Sequence, residues 1–238
     1  MTNTTMNPKY ILFDIDGTLL NTGGAGQRAM ERALVEEFCV DFPFEGILTA
    51  GRTDRGIVSE IFARYGIEDT ETERERFRSA YLNRLPECLR EQSGLLLPGV
   101  VSLLERLAEF EHVTLSLLTG NYAQGAAVKL RHFDLDRFFR RNGHSPGGYG
   151  DQHADRDDVA RMAVAALAKA AGRTVDGSEA CVIGDTPADI RCARAVGARI
   201  IAVATGRYSR QELAAHDPDE LLDDLSDTEL VARCILDA

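Results

Sequence analysis

Two aspartates separated by one residue, Asp14 and Asp16, stand where a short apolar run ends. Residues 10–13 do not alternate with polar residues, which favours a strand buried on both faces. In an extended chain the two carboxylates would point to opposite faces, but a turn at Gly17 can bring both towards one ligand. Ligands of open α/β sheets gather where strands end. The Asp-x-Asp-Gly-Thr pattern therefore favours chemistry over the alternative, a turn or capping pair.

A second acidic pair, Asp185 and Asp189, follows the apolar run 180–183, with Pro187 in the first turn of a predicted helix. Helix capping is the alternative explanation, and both could hold at once. Four carboxylates converging on one sheet edge repel one another unless a cation is present. Because hard oxygen ligands suit Mg²⁺, the sequence predicts magnesium as the cofactor.

A third strand end, Thr119-Gly120-Asn121, follows the apolar run Val113–Leu118. Its hydroxyl and free backbone N–H groups can bind an anionic oxygen. Many strands end in Thr-Gly, so this motif supports the first two and would not suffice without them.

The composition limits the class of ligand. The chain has 238 residues, 44% of them hydrophobic, and a net charge of −11 without a basic run, which argues against nucleic acid and anionic membranes as partners. A phosphate-bearing ligand must therefore be a small molecule. The polar N-terminus, the lack of a bilayer-length apolar stretch and five scattered cysteines predict a cytoplasmic protein. Whether it is a monomer or a homodimer is left open.

The elements that must position these residues alternate in type. Further buried-strand runs at 113–118, 180–183 and 199–204 are separated by helical patterns. This alternation predicts an α/β fold, a doubly wound parallel sheet with a Rossmann-like core.

Residues 20–95 do not follow this alternation of strands and helices. They show three amphipathic helical patterns and no buried-strand run. We expect an inserted helical cap at 21–94, and an α/β catalytic core formed by 1–20 and 95–238. Glycines near 21–24 and 94–99 favour two hinges over which the cap closes on its substrate.

The three motifs in this order, with an insertion after the first, resemble the haloacid dehalogenase superfamily at its phosphoglycolate phosphatase-like and β-phosphoglucomutase-like end. The resemblance covers nearly the whole chain. It implies that Asp14 attacks phosphorus and forms an aspartyl-phosphate, and that Asp16 is the general acid and then the general base. Thr119 would hold a phosphoryl oxygen, with Gly120 and Asn121 in substrate binding.

The resemblance also implies a metal site. Asp185, Asp14 and the carbonyl of Asp16 would bind Mg²⁺, and Asp189 would bind the ion through water or orient its ligands.

The chain departs from the family at its usual lysine between the Thr and Gly-Asp motifs. No lysine occurs between Lys129 and Lys169, both of which lie in predicted helices. Arg156 is our candidate for the cationic, catalytic role. The alternative is a surface arginine paired with Asp155 or Asp157.

In the insertion, a turn at Gly51-Arg52-Thr53 could lower Arg52 over the leaving group of the substrate. The alternative is a helix N-cap by Thr53 with a solvated arginine.

Four functions follow from this resemblance. The first is a magnesium-dependent phosphatase of a small, phosphoglycolate-like monoester. The second is a phosphomutase, which needs a second phosphate site in the cap, with Arg52 and Arg55 as candidates. Dehalogenation is disfavoured by Asp16 and the Gly-Thr after it, and a non-catalytic role by the intact motifs.

Overall fold

The computed structural model describes residues 9–41, 44, 46–139 and 146–236. Its strands are β1 (Lys9–Phe13), β2 (Leu20–Asn21), β3 (Leu95–Leu96), β4 (Val113–Leu118), β5 (Gly147–Gly148), β6 (Ala180–Gly184), β7 (Arg199–Val203) and β8 (Glu220–Leu222). Its helices are α1 (Ala25–Phe38), α2 (Asp54–Tyr65), α3 (Glu71–Glu91), α4 (Val100–Ala108), α5 (Ala123–His132), α6 (Asp136–Phe139), α7 (Arg156–Ala171), α8 (Pro187–Ala195), α9 (Arg210–Ala214) and α10 (Thr228–Leu236).

Six of the strands form a parallel sheet in the order β5-β4-β1-β6-β7-β8. The chain therefore winds outwards from β1 in both directions, which confirms the predicted doubly wound sheet. Phe13, the last residue of β1, lies opposite Leu117 on one side and Ile183 on the other. Because the three strands end level with one another, the residues that follow them meet at one edge.

The central strand is buried on both faces, as its unbroken apolar run predicts. Ile11 and Phe13 belong to the hydrophobic cluster on one face of the sheet, whereas Tyr10 and Leu12 belong to the cluster on the other. This alternation follows from the two-residue period of a strand. Helices cover both clusters, so β1 is a fixed base for the aspartates at its end.

The inserted segment is helical. Helices α1, α2 and α3 enclose their own hydrophobic cluster, which includes Phe62, Phe77 and Tyr81 and is extended by Tyr122 from the region after β4. The aromatic rings meet one another, with Phe62 and Phe77 edge to face at 6.3 Å between centroids. The cluster therefore holds the three helices of the insertion together and also packs them against the sheet domain.

The two segments that join the insertion to the sheet form a short antiparallel ribbon, with Leu20 opposite Leu96 and Asn21 opposite Leu95. The sequence predicted hinges here and no strand. Leu20 is fully buried, and the two connecting segments run side by side, so their backbones can pair as strands. The division into a core and a cap stays a prediction, and residues 1–8, 42, 43, 45, 140–145, 237 and 238 within it lie outside the described part.

Within the described ranges, no helix combines the length and apolar character that crossing a bilayer requires.

Candidate active site

The ends of β1, β4 and β6 open into one cavity of about 460 Å³. Every one of the sequence-predicted site residues except Asp189 lines it, namely Asp14, Asp16, Arg52, Thr119, Gly120, Asn121, Arg156 and Asp185. The register of the three strands accounts for this convergence. The insertion supplies the opposite wall, including Tyr81 of α3.

Three buried carboxylates cluster at the base of the site, and two of them, Asp14 and Asp185, line the cavity. Asp14, Asp185 and Asp189 each present an oxygen within 4.8 Å of the other two. Burial, opposed by Arg156 and reinforced by Asp189, raises the pKa of Asp14 to about 6. Burial and the charges of Asp189 and Asp14 raise the pKa of Asp185 well above its ordinary value. Oxygen donors at these separations, crowded enough to resist ionisation, fit a hard divalent cation such as Mg²⁺.

Asp189 belongs to this cluster through a helix cap. Its Oδ2 accepts hydrogen bonds from the Thr186 hydroxyl at 2.7 Å and from the Thr186 N–H at 3.0 Å, and Thr186 Oγ1 accepts from the Asp189 N–H. Its Oδ1 lies 2.5 Å from Arg156. The capping alternative and the acidic cluster are therefore both present. Because both oxygens of Asp189 are already engaged, it suits the orienting role better than direct coordination.

Arg156 is the buried cation of this cluster, with 3% of its surface exposed. Its Nη2 lies 3.1 Å from Asp14, 2.5 Å from Asp189 and 3.2 Å from the carbonyl oxygen of Leu118. The alternative, a surface pair with Asp155 or Asp157, is wrong, because the guanidinium is buried against Asp14 and Asp189, and those two surface carboxylates pair with Arg191. Arg156 thus lies where it can offset the charge of Asp14.

Asp185 is held by residues from two loops. The Thr18 hydroxyl donates to Asp185 Oδ1 at 3.0 Å, and Gly17, with φ of 88°, passes so close that a Cβ there would strike the Asp185 carboxylate. Gly17 is therefore in a left-handed turn, and Asp14 and Asp16 both line the one cavity. The Thr205 hydroxyl, after β7, donates to the Gly17 carbonyl oxygen at 2.6 Å.

The loop after β7 was not among the predicted site residues, although Thr205, Gly206 and Arg207 line the cavity. A signal was available. This strand also ends in Thr-Gly at the same edge of the sheet, as β4 does at Thr119-Gly120.

The largest surprise is Lys129 of α5. It is helical, as the sequence predicts, but it is also buried and lines the cavity, and it was not among the predicted site residues. Its Nζ lies 2.5 Å from Asp16 Oδ2 and donates to Asn121 Oδ1 at 2.6 Å. A second cation is therefore present at the site, beside the predicted acid/base residue.

Thr119 is fully buried, and its Oγ1 accepts hydrogen bonds from the Asn121 side-chain amide at 2.8 Å and from the Asn121 N–H at 3.3 Å. With both donors aimed at its oxygen, the Thr119 hydroxyl can direct its own proton to an anionic oxygen in the cavity.

Arg52 lines the cavity wall, but its guanidinium braces the insertion. It lies 2.5 Å from Glu60 and donates to the carbonyl oxygens of Leu48 and Gly56, each at 3.2 Å. Thr53 is the N-cap of α2, as the alternative interpretation of this turn predicts, and its hydroxyl oxygen accepts a hydrogen bond from the Gly56 N–H at 3.0 Å. A role for Arg52 in substrate binding stays a prediction.

The turn after Arg52 is fastened to the sheet domain. The Asp54 N–H donates to the Gly120 carbonyl oxygen at 2.7 Å, and the Asp54 carboxylate accepts from the Tyr122 N–H at 2.8 Å. Thr53 donates to the Ala154 carbonyl oxygen at 3.1 Å. Burial, only partly offset by Lys129, raises the pKa of Asp54 to about 7.

Asp54→Asn is expected to make the protein more stable in mild base and leave it unchanged in acid. A pKa raised in the folded state favours its protonated form, so the stability that Asp54 contributes is complete below about pH 4 and is lost as the pH rises through about 7. Asn retains an acceptor for Tyr122 and carries no charge. Urea unfolding of both proteins at about pH 4.5 and 8.5 should show a variant advantage of the order of 2–4 kcal/mol at the higher pH only. An advantage that does not change with pH would contradict this.

Comparison with known proteins agrees with this geometry. Residues 11–194 match the profile of the haloacid dehalogenase-like hydrolases. A phosphoglycolate phosphatase from Pseudomonas savastanoi pv. phaseolicola is 27% identical over 96% of this chain and 80% of its own. One from Rhodospirillum rubrum is 28% identical over 92% of this chain and 88% of its own.

Solved structures share the fold. A hydrolase from Pseudomonas syringae matches with a TM-score of 0.70 and 22% identity over 96% of this chain and 99% of its own. CbbY from Rhodobacter sphaeroides in complex with phosphate matches with a TM-score of 0.69 and 22% identity over 92% of this chain and 96% of its own.

The family match spans the first aspartate motif, the whole insertion, the Thr-Gly strand end and the second acidic pair. The resemblance inferred from the sequence is thereby confirmed, and so is the prediction of an enzyme. The chain belongs to the haloacid dehalogenase-like hydrolases.

Proposed function

We propose that this hydrolase is a magnesium-dependent phosphatase that cleaves a small phosphate monoester through an aspartyl-phosphate on Asp14. The observation that carries the proposal is the position of the Asp14 carboxylate. It lies at the end of the central strand, against buried Arg156 and two further carboxylates, and it faces a cavity that also exposes Asp16 and Thr119.

In the first step, a carboxylate oxygen of Asp14 attacks phosphorus. The new O–P bond forms as the bond to the leaving oxygen breaks, and the electron pair of that broken bond stays on the leaving oxygen, which takes a proton from Asp16. Thr119 donates to a phosphoryl oxygen during the transfer. Arg156 holds Asp14 in the direction of attack.

In the second step, water attacks the phosphorus of the aspartyl-phosphate and gives a proton to Asp16. The bond between phosphorus and Asp14 breaks, and its electron pair returns to the carboxylate. The net reaction converts ester and water into alcohol and inorganic phosphate, with Asp14 and Asp16 restored.

Asp14, Asp185 and the Asp16 carbonyl would hold Mg²⁺, with Asp189 orienting them. When bound, the ion would neutralise the crowded carboxylates and withdraw charge from the phosphoryl oxygens. The crowding of Asp14 and Asp185, both raised in pKa, supports this assignment because neither accepts its charge readily without a cation.

The relatives named phosphoglycolate phosphatase support a small, phosphoglycolate-like acid as the substrate class. Phosphomutase activity is the weaker alternative, since it requires a second phosphate site in the insertion. The arginines proposed for such a site already pair with carboxylates, Arg52 with Glu60 and Arg55 with Asp69. Cys39, Cys88, Cys181, Cys192 and Cys234 are all free thiols, which supports a cytoplasmic location.

A panel of phosphate esters incubated with Mg²⁺ tests the proposal. We expect release of inorganic phosphate from a small acid such as phosphoglycolate, and loss of that release with EDTA. A mutase would instead give isomer without net phosphate release.

Binding of the ion has a readout that does not need turnover. Mg²⁺ at about 100 times its dissociation constant should stabilise the wild-type protein by about 2.7 kcal/mol. Asp185→Asn should remove most of this effect. Equal stabilisation of both proteins would contradict the metal assignment.

A further inference from the structure

Lys129 is a buried cation that belongs to none of the motifs on which the proposed chemistry rests. It lies in α5, behind the Thr119 strand end, with 4% of its surface exposed. Burying an ammonium group is costly unless it is paired and hydrogen-bonded. Its two partners among the described residues, Asp16 and Asn121, both line the cavity. The position of this charge is therefore tied to the site.

Lys129 and Asn121 both donate to one oxygen of Asp16. The Lys129 ammonium lies 2.5 Å from Oδ2, and the Asn121 amide donates to the same atom at 2.8 Å. Asn121 is held in turn, because its own oxygen accepts from Lys129 and its amide also reaches Thr119. Lys129, Asn121 and Asp16 form a closed triangle of charge-assisted hydrogen bonds.

The other oxygen of Asp16, Oδ1, accepts no hydrogen bond from any described residue, and the side chain is 40% exposed in the cavity. Two donors on Oδ2 leave no room for a proton there. A proton that Asp16 gives or takes must therefore travel through Oδ1.

We infer that Lys129, together with Asn121, is a positioning residue that clamps Oδ2 of Asp16 and thereby directs Oδ1 towards the leaving oxygen. The inference rests on the proposed function. As the P–O bond breaks and its electron pair passes to the leaving oxygen, the proton on Oδ1 neutralises that oxygen. Without the clamp the carboxyl group can rotate, and proton delivery loses its alignment.

Two aryl esters that differ by one para-nitro group distinguish positioning from a structural role. Phenyl phosphate has a basic leaving group that needs the proton, whereas 4-nitrophenyl phosphate has one that departs with little help. At saturating Mg²⁺, Lys129→Met should lower kcat/KM for phenyl phosphate by at least about tenfold and for 4-nitrophenyl phosphate by less than about threefold. The ratio of the two values does not depend on how much of the variant is folded.

Three further variants sharpen the test. Asn121→Ala should shift the same ratio in the same direction. Lys169→Met, a matched change at an exposed lysine of α7, should leave both values unchanged. In an Asp16→Asn background, Lys129→Met should have no further selective effect, because its target is already lost.

Equal losses for both esters in Lys129→Met would overturn the inference while leaving the proposed function intact. The inference would also be overturned if Lys129→Met still caused its full selective loss of kcat/KM for phenyl phosphate in the Asp16→Asn background. Absence of turnover of every phosphate ester by the wild-type protein would overturn the proposed function, and this inference with it.

Discussion

Asp14→Asn is expected to abolish turnover and, at the same time, to make the metal-free protein harder to unfold. The activity should fall by at least about 10³-fold, because an amide oxygen is a poor nucleophile and no described neighbour is placed to replace it. The stability should rise because the change removes one of three crowded negative charges and preserves the shape of the side chain. Arg156 keeps its contact with Asp189 at 2.5 Å.

The gain in stability has a definite pH dependence. Because the pKa of Asp14 is raised to about 6 in the folded protein, the wild type loses stability as the pH rises from about 4 through 6. Asn does not titrate, so the variant should exceed the wild type by about 1–3 kcal/mol near pH 8 and match it near pH 4.

Urea unfolding in EDTA tests the expected gain in stability, and phosphate release measured on the same preparations tests the expected loss of activity. Asp223→Asn is the matched control, since Asp223 is exposed and, within the described part of the chain, pairs only with Arg210. It should change neither activity nor stability appreciably. Phosphatase activity that survives Asp14→Asn would remove Asp14 as the nucleophile. A variant less stable than the wild type at pH 8 would show that the Arg156 pair outweighs the crowding.

The convergence of the site could be predicted because it depends on strands alone. Apolar runs that end in Asp14, Thr119 and Asp185 become neighbours once they lie in one parallel sheet, and the level ends of β1, β4 and β6 bring them together. Gly17 adds the turn that unites Asp14 with Asp16. These are local signals combined with one topological rule, and both are visible in the sequence.

The outer strands could not be predicted, since they carry no side-chain signal. Strand β5 is Gly147–Gly148, where a Cβ at either glycine would strike a neighbouring backbone, so pairing with β4 depends on close approach alone. Strand β8, Glu220–Leu222, is half-buried at the edge of the sheet and too short to show a period.

Lys129 escaped prediction for a different reason. A lysine within a helix is usually solvated, and nothing local distinguishes this one. It is buried because the insertion lies over α5, where Gly26 of α1 leaves room for the ammonium group and Tyr81 of α3 packs over Gly125. Burial of this kind depends on how two separate stretches of the chain pack, and it cannot be predicted from the periodicity of a single helix.

Arg156→Met is expected to cause the largest loss of stability of any single change at the site. It removes the only cation of the described residues that contacts both Asp14 and Asp189, and uncompensated buried charges typically cost about 3–5 kcal/mol. The loss should shrink as the pH falls and Asp14, whose pKa is already raised by burial, takes up a proton. It should also be partly reversed by adding Asp189→Asn, because that change removes the charge left unpaired.

Arg156→Lys, by contrast, is expected to be tolerated. Among the described residues, the three oxygens that contact Arg156 all lie against one nitrogen, Nη2, and the buried Nε has no partner. The side chain thus acts as a point donor and not as a two-pronged clamp, and an ammonium group has three protons for the same three acceptors. Urea unfolding in EDTA near pH 8 should rank the wild type and Arg156→Lys close together and Arg156→Met far below. If Arg156→Lys proved as harmful as Arg156→Met, the shape of the guanidinium would matter more than its charge. Arg156 would then do something at this site that the lysine typical of the family could not do.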